Sequence, residues 1–282
     1  MTSQLHDVPI EVAEVDEVHA AEPAGEPKAS TGNGLPPGLR LIKSNAGLFV
    51  TPIIVIAGAV ALYTYYQSAD KGFTDERALD WGRNLRPQLE QHLSLTLWST
   101  VFTILMAVPL GILLTRPRYK RAGSPILAVA TSGQAIPAFG LLVLAFAWLG
   151  RGPWTTIWAL SLFTLLPVLR NTMVGLEQVD QNVIEAGRGM GLTKRQALRQ
   201  IELPLAIPVI LAGVRTALVI TVGMAALAYL IGGGGLGATI SAGLKLSRDL
   251  VLITGAVMTA LVALTVDWIA ALIEKTLRPS GL

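Results

Sequence analysis

Six apolar segments divide the sequence, and each of them is long enough to cross a lipid bilayer. They cover residues 48–66, 93–114, 124–149, 154–176, 205–230 and 251–273. A bilayer core about 30 Å thick needs roughly 20 apolar residues at a helical rise of about 1.5 Å per residue. Because an unpaired backbone amide is costly in lipid, such segments fold as helices. The sequence therefore predicts an all-α integral membrane protein with six transmembrane helices.

The overall composition agrees with a membrane protein. Hydrophobic residues make up 52% of the chain and charged residues only 15%, which is too little charge to cover the surface of a soluble domain. The sequence contains no cysteine, which excludes disulfides and thiolate metal sites. His6, His19 and His92 lack the spacing of metal ligands. We expect no metal site, no catalytic residue and no nucleic-acid partner.

The N-terminal region differs from the rest of the chain. Residues 1–27 contain acidic side chains but no Lys or Arg, the opposite of a secretory signal peptide. Up to about Gly38 the sequence is rich in Pro, Gly, Ala and Glu, so it cannot bury enough apolar surface to offset ordering. We expect a disordered acidic cytoplasmic tail over residues 1–44, which either binds a partner or is simply solvated. Residues 45–282 are expected to form the transmembrane domain.

The distribution of basic residues predicts the orientation in the membrane. If the N-terminus is inside, most Lys and Arg residues fall in cytoplasmic connections, including the run Arg116, Arg118, Lys120 and Arg121. Cytoplasmic loops of membrane proteins carry an excess of Lys and Arg. We therefore expect a multi-pass protein of the cell (inner or plasma) membrane with both termini in the cytoplasm.

A polar connection, residues 177–204, joins the fourth and fifth segments on the predicted cytoplasmic side. Its residues Val183, Ala186 and Met190 recur at helical spacing, which gives one apolar stripe beside charged neighbours. Two interpretations fit this pattern: an amphipathic connector that lies on anionic lipid, or a helix that docks into a cleft of a cytoplasmic subunit. The glycines of the connection favour docking, because small residues let another backbone approach closely.

The polar connection is also predicted to contain two helices. Glycines interrupt its first half, and Thr193 is positioned as the N-cap of a second helix, Lys194 to Ile201. Pro204 lacks an amide hydrogen and restricts Leu203 to an extended conformation. The sequence therefore predicts that the second helix stops just before the fifth span.

The spacing within the polar connection resembles the EAA loop of ABC-transporter permease subunits. That pattern reads EAA, three residues, G, nine residues, I, one residue, LP. The matching residues here are Glu185, Ala186, Gly187, Gly191, Ile201, Leu203 and Pro204. Gly187 replaces the second alanine, a change from one small residue to another. The resemblance implies that the loop inserts into a groove of an ATP-hydrolysing subunit, whose nucleotide-driven closure moves it, with Glu185 and Gly191 at the core of the contact.

The resemblance extends beyond this loop. The stretches "LPVLRNTMVGL", "LAIPVILAGVRTAL" and "YLIGGGGLGATISAGL" are similar to the permeases that import osmoprotectants such as glycine betaine, choline and carnitine. The similarity covers about residues 85–276 and implies a five-span permease core, with a cytoplasmic coupling helix between the fourth and fifth spans of this chain. Two alternatives stay open: a permease for methionine or another small solute, and, from a different class, a motor-independent secondary transporter.

The resemblance also implies an assembly. The expected partners are two cytoplasmic ATP-binding subunits, a second permease that is identical or homologous, an extracytoplasmic substrate-binding protein and membrane lipid. The chain contains no G-x-x-x-x-G-K-[ST] motif. We therefore expect that it is not an enzyme, that it carries no cofactor, and that ATP binds to the partner subunit. Tight recognition of a quaternary ammonium needs aromatic rings, which are few in the middle of the spans, so we expect that cage on the binding protein.

Three further features concern the spans themselves. Arg215 and Asp267 lie inside the fifth and sixth spans, where burying either charge alone costs about 3 kcal/mol, so we predict that they pair. Gln134 and Pro137 lie near the middle of the third span, where proline kinks a helix. Either neighbouring groups bond the carbonyl that the kink frees, or the kink is a hinge of the translocation path. The glycine-rich stretch 232–237 follows a membrane span instead of a strand, so it is not a dinucleotide site. We expect it to allow tight packing where the fifth span turns back, and a direct substrate contact or a gate stays an alternative.

Overall fold

The computed structural model describes the backbone of residues 37–277 and the side chains of residues 48–277. The described residues are helical throughout their regular elements, as the sequence predicts. In chain order the α-helices are α1 (Pro37–Ser68), α2 (Phe73–Ala78), α3 (Arg86–Leu114), α4 (Lys120–Gln134), α5 (Ala138–Leu149), α6 (Pro153–Glu177), α7 (Gln181–Gly189), α8 (Lys194–Ala197), α9 (Leu203–Ala225), α10 (Gly237–Lys245) and α11 (Asp249–Leu277). Residues 1–36 of the predicted acidic tail lie outside the described residues.

Five continuous helical stretches are long and apolar enough to cross a membrane. They are Leu48–Ser68, Phe73–Leu114, Pro153–Glu177, Lys194–Ala225 and Asp249–Leu277. Helices α4 and α5 are long and apolar enough to cross a membrane only when taken together. They are bent by 97° at a short break. The predicted third span is therefore two helices in place of one kinked helix. Pro137 explains the break, because it adopts an extended conformation as the N-cap of α5 and disfavours a helical residue before it.

The bent pair α4–α5 makes the sixth crossing. Helix α4 begins close to the end of α3, which contacts the polar connection through an ion pair between Arg116 and Glu202. Helix α5 ends just before α6 begins, at the end of α6 that is far from the polar connection. Since α6 has 25 residues and is about 37 Å long, α4 and α5 together connect the two faces of the membrane. With six crossings, Leu48 and Leu277 lie on the same side as the polar connection.

Helices α3, α6 and α9 form the centre of the fold and pack partly through hydroxyl groups. Thr103 Oγ1 donates to the carbonyl oxygen of Ser161 at 3.1 Å and lies 3.0 Å from Thr164 Oγ1. Ser161 Oγ in turn donates to the carbonyl oxygen of Ser99 at 3.0 Å. All four side chains are buried. Because lipid provides no hydrophobic force between helices, such interhelical hydrogen bonds and close packing hold α3 and α6 together.

Two spans begin with a π-helical turn, and this corrects the predicted helix stop at Pro204. In the turn Leu198–Glu202, the amide of Leu203 donates to the carbonyl oxygen of Leu198, and Leu203 has helical angles of φ −62° and ψ −49°. Lys194–Ala225 is therefore one continuous helical stretch. The wide π turn relieves the clash of the proline ring with the carbonyl four residues earlier. Pro204 lies in the first turn of α9, where its missing amide hydrogen costs no helical hydrogen bond. The turn Trp81–Leu85 precedes α3 in the same way.

The glycine-rich stretch folds as a tight reversal at the end of α9. Gly232, Gly234 and Gly235 have φ angles of 83°, 81° and 91°, which favour glycine. The amide of Gly235 donates to Gln91 Oε1 at 3.1 Å, which ties the reversal to α3. This geometry agrees with the packing role predicted for the stretch.

Replacing Gly237 with alanine should destabilise the protein by about 1–3 kcal/mol, because the new methyl group would overpack against backbone. A Cβ there would overlap the carbonyl oxygen of Ala226 and lie 2.7 Å from its carbonyl carbon. Gly223→Ala is the matched control, since a Cβ there meets no atom within 4 Å. It should stabilise helix α9 by up to about 1 kcal/mol. Equal thermal unfolding midpoints of the two purified variants would contradict this packing.

An ion pair joins the connection after α1 to the start of α11 on the face away from the polar connection. Arg248 Nε donates to Asp75 Oδ1 at 2.8 Å, and Asp75 is buried. The hydrogen bonds from Arg248 to Asp75 raise the pKa of the Arg248 guanidinium. At the other end of α11, Trp268 Nε1 donates to the carbonyl oxygen of Leu48 at 2.8 Å. The part of α1 from Leu48 to Ser68 is thus held alongside α11.

Candidate functional site

The polar connection folds as two short helices separated by a turn. Helix α7 is capped by Asp180, whose side chain accepts a hydrogen bond from the amide of Asn182 at 2.8 Å. The chain then turns at Gly191, whose φ angle of 98° favours glycine. The predicted N-cap is confirmed: Thr193 and Gln196 form a capping box, in which the amide of Thr193 donates to Gln196 Oε1 at 2.8 Å.

The structure gives a physical reason for glycine at the third position of the E-A-A pattern. Gly187 is buried, and a Cβ there would overlap Ile201 Cδ1 and lie 3.2 Å from Leu192 Cδ1. Gly187 therefore lets α7 pack directly against the π turn that leads into α9. Two of the residues selected from the sequence, Gly187 and Ile201, are in this way brought together.

The other residues of the pattern have different surroundings. Glu185, Ala186 and Gly191 are exposed, whereas Leu203 and Pro204 are half-buried in the first turn of α9. The polar connection thus has an inner side that packs on the spans and an outer side that carries Glu185. Only the outer side is available to a partner subunit.

An ion pair that sequence reasoning missed fixes the polar connection to the spans. Arg116 Nη2 lies 2.6 Å from Glu202 Oε2, and Arg116 Nη1 donates to Glu202 Oε1 at 3.2 Å. Glu202 is only 7% exposed. Arg116 Nε also donates to the carbonyl oxygen of Ile112 at 3.2 Å, so the pair ties the end of α3 to the π turn. A signal existed in the sequence: an acidic residue between Ile201 and Leu203, at the edge of a span.

A basic cleft of about 920 Å³ lies between the end of α3, the end of α6 and the polar connection. Its charged lining residues include Lys120, Arg188, Lys194 and Arg195, together with Glu177 and the paired Arg116 and Glu202. Positive charge that remains after pairing attracts acidic groups of a partner. The cleft and the outer side of α7 lie next to each other, which gives one continuous surface for docking.

The two intramembrane charges form a bidentate pair between α9 and α11. Arg215 Nε lies 2.6 Å from Asp267 Oδ1, and Arg215 Nη2 donates to Asp267 Oδ2 at 2.8 Å. Arg215 Nη1 also lies 3.7 Å from Glu274 Oε2, a residue that sequence reasoning missed. This geometry agrees with the predicted pair, since each charge has a partner where burial alone would be costly.

The structure places Gln134 and Pro137 at the break between α4 and α5, where both are exposed. Gln134 lines a cavity of about 530 Å³ whose other walls are apolar side chains of α4, α5 and α6, among them Ile126, Leu141 and Phe163. A role of Gln134 and Pro137 in a translocation path stays a prediction.

Comparison with known proteins gives a family and several relatives. Residues 107–279 match the family model of the binding-protein-dependent transport system inner membrane component. The chain is similar to the choline transport system permease protein OpuBB of Bacillus subtilis (strain 168), with 38% identity over 201 residues that cover 71% of this chain and 92% of that protein. It is also similar to the osmoprotectant import permease protein OsmY of Salmonella typhimurium, with 43% identity over 190 residues, or 67% of this chain and 80% of that protein.

The fold is similar to that of a solved transporter. A chain of the MetNI methionine ABC transporter in an inward-facing conformation superposes with a TM-score of 0.61 and 24% sequence identity, covering 69% of this chain and 96% of that chain. At this identity the likeness shows the fold alone. The family match contains the whole polar connection and both intramembrane charges, whereas α1 lies outside it.

Proposed function

This chain belongs to the family of inner membrane components of binding-protein-dependent transport systems, and on that premise we propose that it is the permease subunit of an ATP-driven importer for osmoprotectants. The substrates are quaternary ammonium compounds such as glycine betaine, choline or carnitine. The observation that carries this proposal is the similarity to osmoprotectant permeases, at 38% identity over 71% of the chain in one case and 43% over 67% in another.

The family implies an ATPase and a substrate-binding protein as partners. We propose that two cytoplasmic ATP-binding subunits dock on the polar connections of a permease dimer, whose second chain is identical or homologous. ATP binds to those subunits, and this chain hydrolyses none. The exposed Glu185 supports docking over a purely lipid-bound connector, because an exposed carboxylate gains nothing from anionic lipid.

The family also implies a multi-pass protein of the inner membrane. We propose that the polar connection and both termini face the cytoplasm. Support comes from the basic residues Arg116, Arg118, Lys120 and Arg121, which follow α3 on the side of the polar connection.

Transport by this subunit would follow alternating access. Closure of the ATPase dimer would move α7, and two contacts would pass that movement to the spans. Gly187 packs on Ile201 at the start of the stretch that continues into α9. The Arg116–Glu202 pair ties the same turn to α3. Because packed interfaces switch between discrete arrangements, a shift of the connection reorients the spans together.

Two alternatives make different predictions. A permease for methionine or another small solute would keep the same docking surface and differ only in cargo. A motor-independent secondary transporter needs an intramembrane acid that gains and loses a proton or ion, whereas Asp267 is held in a bidentate pair with Arg215. That pairing favours the ATP-driven importer.

The proposal is tested by uptake of radiolabelled choline and glycine betaine in cells that make this chain with its ATPase and binding protein. Uptake should require all three proteins and should be inhibited by unlabelled carnitine but not by methionine. A Walker-motif variant of the ATPase should abolish uptake. Uptake that persists with the inactive ATPase, or that methionine alone inhibits, would overturn the proposal.

A further inference from the structure

A separate pocket of about 770 Å³ lies on the face away from the polar connection, between α1, α2, the turn Trp81–Leu85 and α11. It lies at the ends of spans, where a membrane protein meets the headgroup zone. Its lining combines three aromatic side chains with two carboxylates: Tyr63, Tyr66, Trp81, Glu76 and Asp80. The rest of the wall consists of apolar residues of α1 and α11, together with Leu79, Leu85 and Thr254.

Both charged residues that line this pocket are acidic. Asp80 is held in place at the start of the π turn, because its Oδ1 accepts a hydrogen bond from the amide of Arg83 at 2.7 Å. Glu76 lies in the short helix α2 and is exposed. Aromatic ring faces attract cations, and nearby carboxylates add to that attraction. The chemistry of the lining therefore fits an organic cation.

One aromatic ring of the pocket already carries a cation within the molecule. The ammonium of Lys71 lies over the ring of Tyr66, 4.2 Å from the ring centroid. Lys71 follows the end of α1, and its Nζ lies 3.5 Å from Gln67 Oε1. An alkylammonium group at 4.2 Å is within the distance at which ring and cation attract each other. Lys71 thus shows the kind of group that this ring accepts.

We propose that this pocket binds the quaternary ammonium group of a choline-type molecule. The rings of Tyr63, Tyr66 and Trp81 contact the methylated ammonium, Glu76 and Asp80 balance its charge, and Lys71 is a tethered competitor for the ring of Tyr66. The inference rests on the proposed function only for the choice of choline as the probe. Two sources of the group fit the pocket, a soluble choline-type solute and the headgroup of a choline lipid whose chains follow the apolar wall.

Binding is measured with radiolabelled choline on the purified full chain in nanodiscs of phosphatidylethanolamine and phosphatidylglycerol. We expect saturable binding that tetramethylammonium displaces. Trp81→Leu and Glu76→Gln should each weaken it about tenfold, because each removes one contact to the cation. Asp80 is not used, since it also caps the π turn. The matched control is Trp148→Leu, an 86% exposed tryptophan outside the pocket, which should leave choline binding unchanged.

Lys71→Ala gives an effect of opposite sign. Removal of the tethered ammonium frees the ring of Tyr66, so choline should bind about threefold more tightly. Arg77→Ala is the matched control, because it removes the same charge from the neighbouring helix α2 without freeing a ring. The proposal is overturned if choline does not bind saturably, if Trp148→Leu weakens binding as much as Trp81→Leu, or if Lys71→Ala and Arg77→Ala bind alike.

Two further measurements distinguish a soluble solute from a lipid headgroup and separate this inference from the proposed function. If phosphatidylcholine added to the nanodiscs competes with soluble choline, the lipid headgroup occupies the pocket; if it does not, the solute does, and either result supports the quaternary ammonium site. The same variants are then tested for ATP-driven uptake with the binding protein. Choline uptake in cells without saturable choline binding in nanodiscs would overturn this inference and leave the proposed function standing. Choline binding that depends on Trp81, without any choline uptake, would support this inference and overturn the proposed function.

Discussion

Charge reversal at Glu185 is expected to abolish ATP-driven uptake and to release the ATPase from the purified complex. Glu185 lies exposed on the outer side of α7, so Glu185→Lys should change the stability of the isolated chain by no more than about 0.5 kcal/mol. A reversed charge in a docking contact costs several kcal/mol, which corresponds to at least about a 100-fold loss of uptake. The measurements are co-purification of the ATPase and initial rates of choline uptake.

The control for this variant is Glu90→Lys, the same charge change at an exposed position of α3, far from the docking surface, whose surface ion pair with Arg86 contributes little stability. It should retain the ATPase and most of the uptake. Thermal unfolding midpoints of the two variants should match that of the wild type. An equal loss of the ATPase in both variants would mean that ATPase binding depends on the net charge of the chain and not on a specific contact at Glu185.

Loss of Arg116 is expected to have the second large effect. Arg116→Leu leaves the buried carboxylate of Glu202 without its bidentate partner, which should cost roughly 3 kcal/mol of stability. The same change disconnects the π turn from α3, so ATP-driven uptake should fall even at temperatures where the chain stays folded. Thermal unfolding of the purified chain and uptake in cells measure the two effects separately.

A double variant separates charge burial from coupling. Arg116→Leu with Glu202→Leu removes both charges and should regain most of the lost stability, because an apolar pair can replace a buried ion pair. Its uptake should stay low, because the tie between α3 and the π turn is still absent. Arg118→Leu, an exposed neighbour, is the matched control and should behave like the wild type. A double variant as unstable as Arg116→Leu would contradict the role of the unpaired carboxylate.

The parts of the fold that depend on the length of an apolar segment were predictable from the sequence. The segment 154–176 corresponds to α6, Pro153–Glu177, and 251–273 lies within α11, Asp249–Leu277. The pair of Arg215 and Asp267 could also be anticipated, since a charge inside a span requires a partner. Glu274 could not, because a carboxylate near the end of a helix can be hydrated without one.

Features that depend on tertiary packing escaped prediction. Arg116 and Glu202 are 86 positions apart, so neither residue alone indicates the pair. Pro204 was expected to end a helix, but the preceding π turn provides space for its ring, and that turn has no simple sequence signature. Pro137 was expected to kink a helix, but a proline alone does not predict the size of the bend, which is 97° between α4 and α5.

The aromatic pocket was invisible for a similar reason. Its tyrosines come from α1 and its carboxylates from α2 and the following turn, and only packing against α11 brings them together. From the sequence, Tyr63 and Tyr66 are ordinary aromatic residues at the end of a span, where such rings are common. The expectation that a quaternary ammonium cage belongs to a separate binding protein considered only the middle of the spans, and it stays a prediction.

The most direct test of ATP-driven import asks which side of the membrane the polar connection faces and whether an ATPase covers it. The natural chain contains no cysteine, so Met190→Cys, at a position 80% exposed, gives a single label site, and Phe73→Cys, 79% exposed, marks the opposite face. A membrane-impermeant maleimide should label Met190→Cys in inside-out vesicles only, and bound ATPase should protect it, while Phe73→Cys reacts in right-side-out vesicles. Labelling of Met190→Cys from the outside would contradict the proposed coupling of this chain to a cytoplasmic ATPase.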